Sequence, residues 1–161
     1  MNNFFKDWYK NHRGFEIRNY ADRILNEELP AALRGNNVAV LAAAPNSGKT
    51  IMTISWLEKY LQDNPTHRVL ILAHNQRELR DQFYEEINKS NVKFTYNKVE
   101  SSDKFLVSNE QVIVTIPRTI IGMNKNTNNN HRFNLLIVDE AHHLKSKNKI
   151  VNTDEIGRAH V

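Results

Sequence analysis

The sequence predicts an α/β domain, a parallel sheet flanked by helices on both faces. Two observations carry this. Three stretches, Val38–Ala43, Val69–Ala73 and Leu135–Val138, are uninterrupted apolar runs of strand length, and a fourth, Val112–Ile116, is broken only by Thr115. Such runs suit parallel strands buried on both faces, because a strand with one wet face would alternate with polar residues. Between the runs the apolar spacing changes to that of helices. Strands alternating with helices give parallel pairing, and the ligand of such a sheet lies at the carboxyl ends of its strands.

Taken in order, Ile17, Tyr20, Ala21, Ile24, Leu25 and Leu29 recur at the spacing of one helical face, predicting an amphipathic helix over residues 16–33. Pro30 lacks an N–H and puts the last turn in question. Gly35-Asn36-Asn37 is a turn before the first apolar run. Ile51–Leu61 is apolar almost all round and reads as a buried helix, ended by Asp63-Asn64-Pro65. After the second run, Asn75 and Glu78 form a capping-box-like start to a helix with Leu79, Phe83 and Ile87 as its stripe. Val92–Tyr96 and, more weakly, Phe105–Val107 are further strand candidates. The segment Asn124–Asn130, five asparagines with one Lys and one Thr, has nothing to bury and reads as a surface loop.

Composition narrows the chemistry. The 161 residues are 40% hydrophobic and 25% charged, with 22 Lys and Arg against 18 Asp and Glu, a net charge of +4. This is the balance of a globular domain with a core, and the mild basic excess is compatible with a polyanionic partner. With no cysteine, disulfides, thiol nucleophiles and cysteine zinc sites are excluded. The start MNNFFKDWYKNHR has no signal-peptide core, and the longest apolar run, Val38–Pro45, is far short of the ~20 residues that span a bilayer. The expectation is a soluble, cytoplasmic protein with no membrane partner.

Two motifs carry chemistry. Ala43-Ala44-Pro45-Asn46-Ser47-Gly48-Lys49-Thr50 directly follows an expected strand and opens an expected helix. A polyphosphate needs converging backbone N–H groups, a helix N-terminus, one mobile cation and one hydroxyl for its metal. Pro45, Asn46, Ser47 and Gly48 supply the loop, Lys49 can reach the β and γ phosphates, and Thr50 can ligate Mg²⁺. The second motif, Asp139-Glu140-Ala141-His142, follows Leu135–Val138. At the carboxyl end of a buried strand, Asp139 can hold Mg²⁺ while Glu140 orients and deprotonates an attacking water, with Lys49 as its catalytic partner at the phosphates. His142 and His143 point about 100° apart on a helix and lack HExxH spacing, so zinc is not expected.

On these residues the chain resembles the first RecA-like motor domain of superfamily 2 helicases and translocases, in the DEAD/DEAH-box group nearest the type III restriction-subunit-like branch. AAPNSGKT is similar to its motif I and DEAH to its motif II; Leu72–Gln82 resembles motif Ia, and Val114–Arg118 the following nucleic-acid-contact motif. The resemblance covers about residues 16–147, with 1–15 as an N-terminal extension and 16–155 as the motor domain. It implies a RecA-like P-loop fold, with ATP and Mg²⁺ as ligands and hydrolysis driving movement on DNA, or alternatively RNA. It further implies that His142 couples hydrolysis to movement. His74, Asn75 and Arg77, with Thr115, Pro117 and Arg118, are the implied contacts to one strand's backbone.

Some residues depart from the pattern. Asn46 stands where many relatives carry Gly, and Arg18-Asn19-Tyr20-Ala21 has Ala where such proteins often carry an adenine-reading Gln. Residues Ile156–Val161, IGRAHV, match the translation of a common sequencing adapter. The frame is therefore expected to be truncated near Glu155, and the second RecA-like domain with its arginine finger to be missing. The fragment is then expected to bind nucleotide and turn it over poorly. Two other readings stay open from sequence: another P-loop ATPase that ignores nucleic acid, and a non-catalytic ATP-binding module.

Overall fold

The computed structural model describes residues 4–41, 48–73, 77–121 and 133–139. Four parallel strands, β1 (Val69–Leu72), β2 (Tyr96–Lys98), β3 (Val112–Thr115) and β4 (Leu135–Val138), lie in the order β2-β3-β1-β4. Register pairs Leu72 with Thr115 on one side and with Val138 on the other, so three carboxyl ends are level. Every residue of β1, β3 and β4 is buried, as expected of strands covered on both faces.

Side chains alternate between two cores with the period of two that a strand imposes. Val69, Ile71, Val112, Val114, Leu135 and Ile137 face one cluster. Leu70, Leu72, Ile113, Leu136 and Val138 face the other. The first is roofed by α1 (Phe4–Arg13), α4 (Lys49–Asp63) and α5 (Arg77–Lys89), through residues such as Trp8, Leu57 and Ile87. The second is closed by α6 (Ser102–Val107) and α7 (Pro117–Ile121), through Phe105 and Ile120. Helices thus cover both faces, as the sequence predicts.

The helix expected over 16–33 is continuous from Asn19 to Leu33, as α2 (Asn19–Arg23), a π-turn (Ile24–Glu28) and α3 (Leu29–Leu33). The wide turn sits just before Pro30, whose missing N–H would break a regular ladder, and the helix passes through instead of ending.

Two strand expectations are corrected, and a third lies partly outside the described residues. Phe105–Val107 is helical: Ser101 caps α6 by accepting from Lys104 N–H at 3.3 Å. Positions two apart share a face in a strand but lie about 200° apart in a helix, and here Phe105 is buried while Val107 is 81% exposed. The strand expected over Val92–Tyr96 begins only at Tyr96, where the chain reaches its register with Val112; Asn97 and Lys98 on this half-buried strand hide it from an apolar scan. The run Val38–Ala43 lies partly outside the described residues. Its described part, Val38–Leu41, holds a single bridge residue at Val40 and is not one of the four strands. Ala39 is buried beside an exposed Val40, so this piece has one covered face and not two. The surface loop expected at Asn124–Asn130 lies outside the described residues.

The segment expected as an N-terminal extension carries α1. Its Phe5, Trp8 and Tyr9 are buried in the first core. Polar contacts at its end fix it to α5: Arg13 meets Glu86 at 2.8 Å and donates to Ser90 Oγ at 3.0 Å. His12 Nδ1 lies 2.8 Å from the Ser90 carbonyl; a carbonyl only accepts, which assigns the proton to Nδ1.

Candidate functional site

The site forms where α4 starts against the carboxyl end of β4. Gly48 caps α4 with φ +81° and ψ 20°, a left-handed conformation that glycine adopts without a Cβ penalty. That turn sets Lys49 and Thr50 in the first helical turn. Asp139 follows β4 immediately, and its N–H continues the ladder by donating to the Leu72 carbonyl at 2.9 Å. The backbone of Asp139 is thereby pinned by the neighbouring strand.

These two placements bring Lys49 Nζ to 3.5 Å from Asp139 Oδ1, with side chains 22% and 15% exposed. The residues are far apart in sequence, and only the order of the sheet joins them. Thr50 is half-buried beside them on the same turn. A compact ammonium and a carboxylate on a rigid helix start and a rigid strand end can handle a polyanion together with its cation. Among the described residues no group of three or more His, Asp or Glu gathers as a metal nest.

Next to this pair is a cavity of about 170 Å³ lined by Tyr9, Phe15, Arg18, Tyr20, Ala21, Gly48 and Ile51. Burial pushes the Tyr9 phenol well above its ordinary range, against a smaller opposing effect of its hydrogen bond with Ser55. Ser55 in turn donates to the Met52 carbonyl at 2.8 Å, so the Tyr9 hydroxyl is tied to the inner face of α4. Sequence reading named Arg18, Tyr20 and Ala21 here but missed Tyr9 and Phe15. The available signal was the stripe Phe5, Trp8, Tyr9 and His12, spaced i, i+3, i+4 and i+7 as on one helix face.

The other candidates divide. Pro45, Asn46, Ser47, His74, Asn75, Glu140 and His142 lie outside the described residues. Arg77 and Arg118 are exposed at the starts of α5 and α7, which follow the neighbouring strands β1 and β3. Pro117 is half-buried. Thr115 is a correction: it is fully buried, and its hydroxyl donates to the Val99 carbonyl at 2.8 Å. It fastens β3 to the chain after β2 and presents nothing to a strand of nucleic acid.

This fold is that of RecA-like helicase domains, and solved structures share it. The chain aligns over 90% of its length, at 18% identity and TM-score 0.65, with a nuclease-deletion mutant of the Type ISP restriction-modification enzyme LlaGI in complex with a DNA substrate mimic. It aligns over 99%, at 22% identity and TM-score 0.70, with a DEAD box protein from the hyperthermophile Methanococcus jannaschii. A hypothetical ATP-dependent RNA helicase from Sulfolobus tokodaii aligns over 89%, at 22% identity and TM-score 0.62. Residues 14–159 match the res subunit of type III restriction enzymes, and the chain belongs to that family. It spans 17%, 47% and 43% of the three solved chains, less than half of each. Among curated proteins none matches it significantly. No helix among the described residues is long and apolar enough to cross a membrane.

Proposed function

We propose that this chain is the ATP-binding and hydrolysing part of a helicase or translocase acting on nucleic acid, DNA before RNA. The observation that carries the reading is the approach of Lys49 Nζ to Asp139 at the carboxyl edge of the sheet. Family membership and the shared fold support it.

In this reading Lys49 releases Asp139 and binds the β and γ phosphate oxygens, trading one anionic partner for another. Thr50 and Asp139 offer the hydroxyl and carboxylate oxygens that a hard divalent cation prefers, and they would hold Mg²⁺. When bound, that ion neutralises charge on the phosphate oxygens. Glu140 takes a proton from the attacking water as its oxygen bonds to the γ phosphorus. The bond from that phosphorus to the β–γ bridging oxygen breaks, and ADP and phosphate leave. His142 sits two residues on from Glu140, suited to pass the state of the site to whatever binds nucleic acid.

Arg77 and Arg118 are the proposed backbone contacts, exposed cations at the starts of the helices that follow the adjacent strands β1 and β3, each able to neutralise a phosphate. His74, Asn75 and Pro117 stand beside them in sequence as further candidates. The complex of LlaGI with a DNA substrate mimic makes DNA the first partner to test.

The test is ATP hydrolysis by the whole protein that carries this chain, with and without single- and double-stranded DNA. Stimulation by DNA, abolished by Glu140→Gln with ATP binding kept, is the expected result. Hydrolysis at the wild-type rate by Glu140→Gln removes Glu140 from the mechanism.

A further inference from the structure

We propose that α1 is a strut between the nucleotide helix α4 and the nucleic-acid helix α5, and that Arg13 is the positioning residue through which bound nucleic acid speeds hydrolysis. This rests on the function proposed above and adds how its two sites are joined. Lys49 and Thr50 open α4, and Arg77 opens α5. At a rise of about 1.5 Å per residue, Ser55 and Glu58 lie about 9 and 14 Å along α4 from Lys49, and Glu86 about 14 Å along α5 from Arg77. Those are the places where α1 takes hold.

On α5 the hold is on the helix end. The last carbonyls of a helix have no partner within it. Ser90 N–H turns back to the Ile87 carbonyl at 3.0 Å, and Asn91 ends the helix in a left-handed conformation at φ +48°. The Glu86 carbonyl left over accepts from Ser90 Oγ at 2.7 Å and from Arg13 Nη1 at 3.2 Å. The same Nη1 donates to Ser90 Oγ at 3.0 Å, and Nη2 donates to the Glu86 carboxylate at 2.8 Å. His12 Nδ1 covers the Ser90 carbonyl at 2.8 Å. A guanidinium here also meets the negative end of the helix dipole. The end of α5 is thus completed by side chains of α1.

On α4 the hold is on the inner face. Tyr9 is hydrogen-bonded to Ser55. Glu58, itself buried, faces His12 Nε2 at 4.0 Å and accepts from Lys93 N–H at 3.0 Å. α4 and α5 also share the first core, through Leu57, Phe83 and Ile87. Apolar contacts are non-directional, and packed helices shear past one another by small slides. Hydrogen bonds fix distance and angle, and networks of them joined to rigid elements carry coupling between separated sites. A displacement of α5 by a strand bound at Arg77 therefore passes through Arg13 to α1, and from α1 to the helix that carries Lys49.

The experiment is ATP hydrolysis by the whole protein that carries this chain, without nucleic acid and with saturating single-stranded DNA or RNA. Wild type is compared with Arg13→Ala, Glu86→Ala, the double variant and, as a control on the exposed side of α1, Lys10→Ala. Coupling between sites is commonly about 5–150-fold, so Arg13→Ala is expected to lose at least about fivefold in stimulated turnover. Its basal turnover and its Kd for MgATP are expected to stay within about twofold of wild type. Glu86→Ala is expected to lose part of the stimulation, and the double variant no more than Arg13→Ala, because the two side chains form one contact. Lys10→Ala is expected to match wild type. Basal and stimulated turnover falling in the same proportion assigns Arg13 to stability alone and overturns the proposal. Full stimulation in Arg13→Ala, or additive losses in the double variant, overturns it too and leaves the proposed function standing. Should thermal unfolding show that Arg13→Ala does not fold, the milder Glu86→Ala decides, and unchanged stimulation there overturns the proposal. A wild type that hydrolyses ATP without any response to DNA or RNA rejects the nucleic-acid reading itself, and the strut with it.

Discussion

Replacing Lys49 by Ala separates what this residue does for the fold from what it does for the ligand. In the structure its ammonium lies 3.5 Å from Asp139 Oδ1. At that distance the bare attraction is about 1 kcal/mol in bulk water and about 5 kcal/mol at an effective permittivity of 20. Both side chains are mostly withdrawn from water, 22% and 15% exposed, so lost hydration offsets much of the larger figure. A net loss of about 1 kcal/mol is expected, lowering Tm by about 2–4 °C for a domain of this size. The effect on ligand is larger in kind. At a MgATP concentration about 100 times Kd, binding should stabilise the wild-type chain by about 2.7 kcal/mol, or about 5–10 °C. The Ala variant should show no such increment at the same concentration. Thermal unfolding followed by fluorescence, with and without MgATP, reads both quantities in one series. An equal MgATP shift in variant and wild type would refute the assignment of Lys49 to the phosphates.

Other perturbations test separate parts of the structure. Leu57 on α4 is fully buried, so Leu57→Ala should cost about 2–5 kcal/mol in urea unfolding, whereas Val107→Ala on the exposed side of α6 should stay within about 0.5 kcal/mol. Burial alone would raise the Asp81 carboxyl, but hydrogen bonds and charges from Lys98 and Arg80 outweigh it and hold the group below its ordinary 3.8. A depressed folded value stabilises above the unfolded one, so Asp81→Asn should cost less than about 1 kcal/mol at neutral pH, and the gap should close as pH falls through the folded value. Urea titrations at several pH values measure this, and a gap that persists in acid assigns the loss to packing. Arg77→Ala and Arg118→Ala should each lower the slope of log affinity for single-stranded DNA against log salt by about 0.7, read by fluorescence anisotropy. An unchanged slope takes the residue out of the interface.

The sequence by itself determined the elements whose signal is local. Apolar runs located β1, β3 and β4 to within a residue, because a strand covered on both faces has no polar alternation to confuse. The stretch from Gly48 to Thr50 marked a loop turning into a helix, and Asp139 stood out as an acid ending a buried strand. Only the tertiary structure decided which of these parts meet. The sequence holds no statement that β4 lies beside β1, yet that adjacency fixes Asp139 through the Leu72 carbonyl and delivers it to Lys49. Whether Thr115 looked inward, whether Phe105–Val107 coiled, and whether α1 stood apart or entered the core were likewise settled by partners distant along the chain. Hydrogen-bonding and packing surfaces are short-ranged in space and indifferent to sequence separation, so a one-dimensional pattern can name the pieces of this site without joining them.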